Sequence, residues 1–212
     1  MTASMSHEKA APLSPPTSPL VIVLSGLSGV GKDTVLSRLR QSEHPLEFIT
    51  TITTRPQRPN EREGIHYHFM PEPEFREMMD AGKLLEYASV YGYYYGVPAG
   101  PVKEALSREK DVVIKVDVQG AETIKKIMPE AVFIFLAASS MQELESRLKL
   151  RGSESPEELE IRLRTAEHEL EKLPMFDYLV LNRRGEVNRA VADIEAIITA
   201  EKCRVVPRKI SL

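Results

Sequence analysis

The chain has a single cysteine, Cys203, in 212 residues. That excludes an internal disulfide and a metal site built from several cysteines, and it suits a reducing compartment such as the cytoplasm. Cys203 itself reads as inert. No apolar run approaches the ~20 residues that cross a bilayer, so no membrane span is expected. An excess of charge is missing too: the net charge is −3, which gives no global attraction to nucleic acid or to an anionic membrane. The first nineteen residues lack arginine and any apolar stretch, and are rich in Pro, Ser and Ala. They read as a flexible tail, not as a secretory or transit peptide. No internal repeat is visible.

What is present is a rhythm of short apolar strands and helices. Leu20–Leu24 reads as a buried strand, Lys32–Arg40 as a helix, and Phe48–Thr51 as a short strand. His66–Met70 alternates like a strand, Pro73–Ala81 looks helical, and the Tyr-rich Gly82–Val97 reads as paired strands. From Val102 onward the alternation resumes, with strands at Val112–Asp117, Ala131–Ala137 and Tyr178–Leu181. Helices are expected between and after them, the longest at Pro156–Leu173 and Val187–Ala200. This pattern predicts an α/β fold with a parallel sheet covered on both faces, interrupted by a small inserted β subdomain.

The segment "LVIVLSGLSGVGKDTVLSRL" carries Gly26, Gly31 and Lys32 at the spacing of a phosphate-binding loop. Glycines let backbone N–H groups turn inward toward an anion at a helix N-terminus, and Lys32 would reach the distal phosphates. The expected nucleotide contacts are Gly26, Leu27, Ser28, Gly29, Val30, Gly31, Lys32, Asp33 and Thr34. Asp33 stands where a metal-binding hydroxyl is usual, and Thr34 offers a hydroxyl one residue later.

A second cluster lies in "TTITTRPQRPNEREGIHYHF". Arg55 and Arg58 sit on a loop stiffened by Pro56 and Pro59, an arrangement suited to a phosphate monoester because each guanidinium donates a bidentate pair. Arg62 reads as solvated charge. Glu86, in "LLEYASVYGYYYGVP", is an acid in an otherwise apolar strand and needs a partner, unless it is an ordinary edge-strand acid. The N1–H and N2 amino group of guanine would supply one, and adenine lacks that edge. At least one of Tyr93, Tyr94 and Tyr95 is expected simply to pack.

Taken together, "SGLSGVGK", "TTRPQRPNEREGIHYHF", "LLEYASVYGYYYG", "VDVQGA", "RLKLRGS" and "FDYLVLN" make the chain resemble the guanylate kinases, from about Leu20 to Ile198. The resemblance implies transfer of the γ-phosphoryl group of ATP to GMP, and to dGMP, with Mg2+ bound alongside ATP. It implies a domain over about 20–205, a GMP-binding insertion at about 50–98, a helical lid at about 147–172, and a short tail over 206–212. Arg55, Arg58, Tyr67 and Tyr95 would hold the GMP phosphate, Glu86 and Thr51 the guanine, and Asp117 its amino edge or nearby groups. Arg147, Arg151 and Arg162 would swing onto the phosphates, with Lys32, Arg55, Arg151 and Arg162 serving the transfer, and Asn182 would lie near the adenine.

Three positions depart from the family pattern: Asp33, Lys115 in place of an acid two before Asp117, and Val97 in place of a base-contacting Ser or Thr. Asp33 and Lys115 read as one charge exchange across a shared site. Either Asp33 supplies a carboxylate to Mg2+ with Lys115 balancing it, or the two pair and occlude the metal. Two rival functions remain open. One is a related kinase of ribose bisphosphate, against which the tyrosines and Glu86 speak. The other is a guanylate-kinase-like interaction module, against which the intact Lys32 speaks.

Overall fold

The computed structural model describes residues 18–59, 61–90, 92–150 and 156–212. In chain order the elements are β1 (Val21–Gly26), α1 (Lys32–Leu39), β2 (Leu46–Ile49), β3 (Ile52–Thr53), β4 (His68–Phe69), α2 (Glu72–Asp80), β5 (Leu84–Val90) and β6 (Tyr93–Pro98). They continue with α3 (Ala99–Ser107), β7 (Asp111–Lys115), α4 (Val118–Ile127), β8 (Val132–Ala137), α5 (Met141–Leu150), α6 (Pro156–Glu171), β9 (Tyr178–Leu181) and α7 (Val187–Lys202). Most of the 1–19 tail, and Arg151, lie outside the described residues.

Five strands form one parallel sheet in the order β2-β7-β1-β8-β9. Every residue of β1 and β8 is buried, as central strands covered on both faces require. Alternation divides β1 between two cores. Ile22 and Leu24 join Val35 and Leu39 of α1 and Ile194 and Ile198 of α7. Val21 and Val23 face the other way, onto Val102 of α3 and Ile124 of α4. Each fully buried aliphatic side chain of this kind contributes ~1.5–3 kcal/mol.

A second sheet, β4-β3-β6-β5, stands apart and is mixed, with β3 parallel to β4 and antiparallel to β6. The single strand expected at Phe48–Thr51 is in fact two. The first sheet keeps Ile49 beside Ile114, and the second takes Ile52 beside Gly96. Residue type does not reveal that handover, because no Gly or Pro separates the two pieces and Thr50 and Thr51 between them are themselves strand-forming residues. The strand expected to reach Asp117 stops at Lys115, and Asp117 becomes the N-cap of α4, its Oδ1 accepting from the Gly120 N–H at 2.8 Å.

The short tail after 205 folds back onto the domain. Arg208 donates from Nε and Nη2 to both carboxylate oxygens of Glu201, each at 2.8 Å, and from Nη1 to the Ala131 carbonyl at 3.1 Å. The Tyr178 hydroxyl donates to the same Glu201 at 2.7 Å, and Ile210 packs on the core. Glu201 is therefore buried without being unpaired.

Candidate active site

β1 ends at the centre of the parallel sheet, and the glycine loop follows its carboxyl end, where open α/β sheets bind ligands. Gly26 has φ 137, and a Cβ there would lie 2.0 Å from the Leu136 carbonyl oxygen, so only glycine lets the loop leave β1 so close to β8. Gly31 is the N-cap of α1 and makes no side-chain cap, which leaves the first N–H groups of the helix for an anion. Lys32 donates to the Gly26 and Leu27 carbonyls at 2.7 and 3.2 Å. Burial pulls its pKa below the ordinary lysine value.

Two expected nucleotide contacts prove to brace this loop from behind. Asn182 donates from Nδ2 to the Val30 carbonyl at 2.8 Å, which ties its amide to the loop backbone. Arg147 donates to the same carbonyl at 2.9 Å and to the Asn182 carbonyl at 2.5 Å, and it pairs with Glu143. Neither side chain lines the cleft described next. Glu169 of α6 approaches the front of the loop and accepts the Ser28 N–H at 2.9 Å. Burial raises its pKa.

A cleft of about 360 Å3 runs from the loop to the second sheet. Lys32, Asp33 and Thr34 line its near end. Arg58, Tyr67 and Tyr95 line the far end, with Thr51 and Glu86 in the same wall. Asp117 and Arg162 complete it from α4 and α6. Glu86 is the most unusual member. It is buried, its Oε2 has no hydrogen-bond partner, and burial followed by the nearby Asp117 charge raises its pKa to about 8. An orphaned carboxyl oxygen of this kind is costly and marks a place where a donor belongs. Gly120 makes the space for it, since a Cβ there would stand 2.8 Å from Oε2. Thr51 donates its hydroxyl to the Lys115 carbonyl at 2.9 Å. Val97, paired across from Glu86, is fully buried in the core and does not line the cleft.

Arg55 and Arg58 separate in role. The Arg55 guanidinium is already occupied: Nε donates to the Tyr95 hydroxyl at 3.1 Å, Nη1 to the Pro56 carbonyl at 2.7 Å and Nη2 to Glu61 at 2.7 Å. Glu61 also accepts the Arg58 N–H at 2.9 Å, so one carboxylate ties the loop together. Arg58 alone of the two lines the cleft. No local pattern points to Gly120 or Glu169, whereas Glu61, three residues after Arg58 in a Pro-bounded loop, carries a readable signal.

Asp33 and Lys115 do share a site. Lys115 Nζ lies 2.7 Å from Asp33 Oδ1. The lysine charge holds the Asp33 carboxylate below its usual pKa despite its burial. Among the described residues no group of three or more His, Cys, Asp or Glu gathers to form a resident metal site. With Oδ1 engaged, Asp33 would offer magnesium its second carboxylate oxygen. That donor set fits an ion that arrives on nucleotide phosphates and keeps several of its waters.

Residues 18–201 match the family model described as guanylate kinase. The chain is 42% identical over 202 residues to guanylate kinase 2, chloroplastic/mitochondrial, of Oryza sativa, which covers 95% of this chain and 71% of that protein. It is 45% identical over 186 residues to a guanylate kinase of Caldanaerobacter subterraneus, with 88% and 89% covered. Among solved structures, guanylate kinase from Anaplasma phagocytophilum superposes with a TM-score of 0.75 at 27% identity, covering 90% of both chains. With a glycine loop at the end of β1, and a second sheet that turns an orphaned carboxyl into the same cleft, the chain belongs to the guanylate kinase family.

Proposed function

We propose that this protein transfers the γ-phosphoryl group of ATP to GMP, giving ADP and GDP, and that it accepts dGMP. The observation that carries this reading is the buried Glu86 with its unpartnered Oε2 in the cleft that also holds the glycine loop. A guanine N1–H and N2 amino group would satisfy that carboxylate, whereas adenine would leave it unpaired. Recognition then rests on the base edge and the phosphate, so loss of the 2′-hydroxyl is tolerated.

Arg58, Tyr67 and Tyr95 hold the acceptor phosphate in this reading, and Arg55 with Glu61 shapes the loop that presents them. The donor phosphates occupy the loop N–H groups, and Lys32 leaves the Gly26 and Leu27 carbonyls to meet them. An acceptor phosphate oxygen attacks the γ-phosphorus in line, the bond to the β-bridging oxygen breaks, and ADP departs. The acceptor is already an anion, so no protein base is required. The protein contributes position and positive charge, from Lys32, Arg58, Arg162 and Arg151. Asp33 would help hold a magnesium ion brought on ATP, and that ion would supply further neutralisation of phosphate charge. The α5–α6 region acts as a lid that excludes water. Nucleic acid and membrane are not partners. Cys203 is an exposed free thiol, which a reducing cytoplasm suits.

The test is a coupled ADP-release assay with GMP, dGMP, AMP and ribose bisphosphate. Turnover with GMP and dGMP, and little with AMP, is expected. Preferential use of ribose bisphosphate would overturn the reading, and so would phosphopeptide binding with no turnover of any nucleotide.

A further inference from the structure

Lys115 ends β7, in the rigid centre of the parallel sheet beside β1. Its side chain is almost wholly buried, and its ammonium has partners on two sides. On the donor side it meets Asp33, the residue after Lys32 in α1, at 2.7 Å. On the acceptor side it lies 3.4 Å from the His66 carbonyl and 3.8 Å from the centroid of the Tyr67 ring. The Tyr67 ring passes the contact on. Tyr95 packs against it edge-on at 5.8 Å, and the Arg55 guanidinium carbon lies 5.6 Å from its centroid.

A mere counter-charge for Asp33 would need only Asp33. Here the ammonium also seats a phosphate-site tyrosine, through a cation–π contact that strengthens when desolvated. Tyr67 needs such a support. The strand it leads into, β4, has two residues, and Tyr67 itself stands outside that strand, in an isolated bridge to Glu63. Asp33, His66 and Lys115 also line a second, smaller cleft of about 60 Å3, so the Asp33–Lys115 pair is the wall between that space and the main cleft.

We propose that Lys115 is a positioning residue for the acceptor phosphate: steered by Asp33, its ammonium fixes the Tyr67 ring, and through it Tyr95 and Arg55, against the donor site. This rests on the reading of the cleft as a GMP site. It assigns to a lysine on the core strand the coupling of the two substrate halves.

The experiment is calorimetric GMP binding without ATP, with steady-state kinetics and melting curves alongside. Wild type, Lys115→Met, Lys115→Arg, Asp33→Asn, Tyr67→Leu and the two doubles with Lys115→Met are compared, and Lys115→Gln replaces Lys115→Met if the latter does not fold. Lys115→Met should weaken GMP ~10-fold and raise the KM for GMP to match, with the KM for ATP nearly unchanged. Lys115→Arg should recover part of the loss. The Asp33→Asn/Lys115→Met double should stay weak for GMP, and Lys115→Met should add nothing once Tyr67 is Leu, because contacting residues couple. Restored GMP affinity in the first double would reduce Lys115 to a counter-charge. Full additivity in the second would remove Tyr67 from its path. Either result overturns the inference. Absence of GMP binding by the wild type would instead overturn the functional reading.

Discussion

Glu86 holds a proton where most carboxyls would have lost one. Burial, reinforced by the Asp117 charge, raises its pKa to about 8, so at pH 7 the empty site carries mainly the acid. A guanine edge made of donors requires the carboxylate. GMP binding must therefore expel a proton. Calorimetry in buffers of different ionisation heat should find close to one proton released per GMP at pH 7, and none for Glu86→Gln. The same variant should lose ~2–3 kcal/mol of GMP recognition, roughly a 30–150-fold fall in kcat/KM, with little change in the KM for ATP. Proton release that persisted in Glu86→Gln would place the titrating group elsewhere. Glu86 could be picked out in the sequence because an acid in an apolar strand is conspicuous. Gly120, which clears the space beside it, could not. Its reason lies in an approach between α4 and β5 that no local pattern records.

Between Thr53 and Gly64 the acceptor loop works as a unit. Pro56 and Pro59 restrict its backbone, and Glu61 joins the Arg55 guanidinium to the Arg58 N–H. Arg58→Ala should chiefly raise the KM for GMP. Arg55→Ala should lower kcat as well, because it releases Tyr95 and leaves Glu61 without its cation. Lysine should rescue Arg55 poorly, since one ammonium cannot reproduce three directed donors. Full recovery of kinetics in Arg55→Lys would show that charge alone matters there. At this scale the sequence was legible wherever apolar periodicity spoke: β1, β8 and α7 lie close to where their patterns place them. It is silent where a side chain serves a backbone carbonyl. Asn182 and Arg147 both converge on the Val30 oxygen, and a carbonyl has no letter of its own. It is silent too at Thr50 and Thr51, where the chain changes sheets without changing character.

Across the whole molecule, the cleft gathers three acids, the buried Glu86 and the half-buried Asp117 and Glu169, each pushed by loss of solvent above its usual pKa. The folded state therefore holds protons that the unfolded chain gives up near pH 4–5. That contribution is fully present below the unfolded values and is lost as pH rises through the folded ones, to about 8 for Glu86. Asp33 and Glu201, whose pKa values are lowered, act in the opposite direction and cost stability only in acid. Urea midpoints of the nucleotide-free protein should fall between pH 6 and pH 9, and the fall should be shallower in Glu86→Gln. An unchanged slope in that variant would contradict the assignment. Far from the cleft, Arg208→Met should cost ~3–5 kcal/mol, read as a lowered melting temperature, because it strips a buried carboxylate of its main partner. That clasp also makes the segment after α7 a lever on its stability: proteolytic trimming that removes Arg208 leaves the buried Glu201 with Tyr178 and Arg204 alone, so a cut outside the cleft should loosen the end of α7.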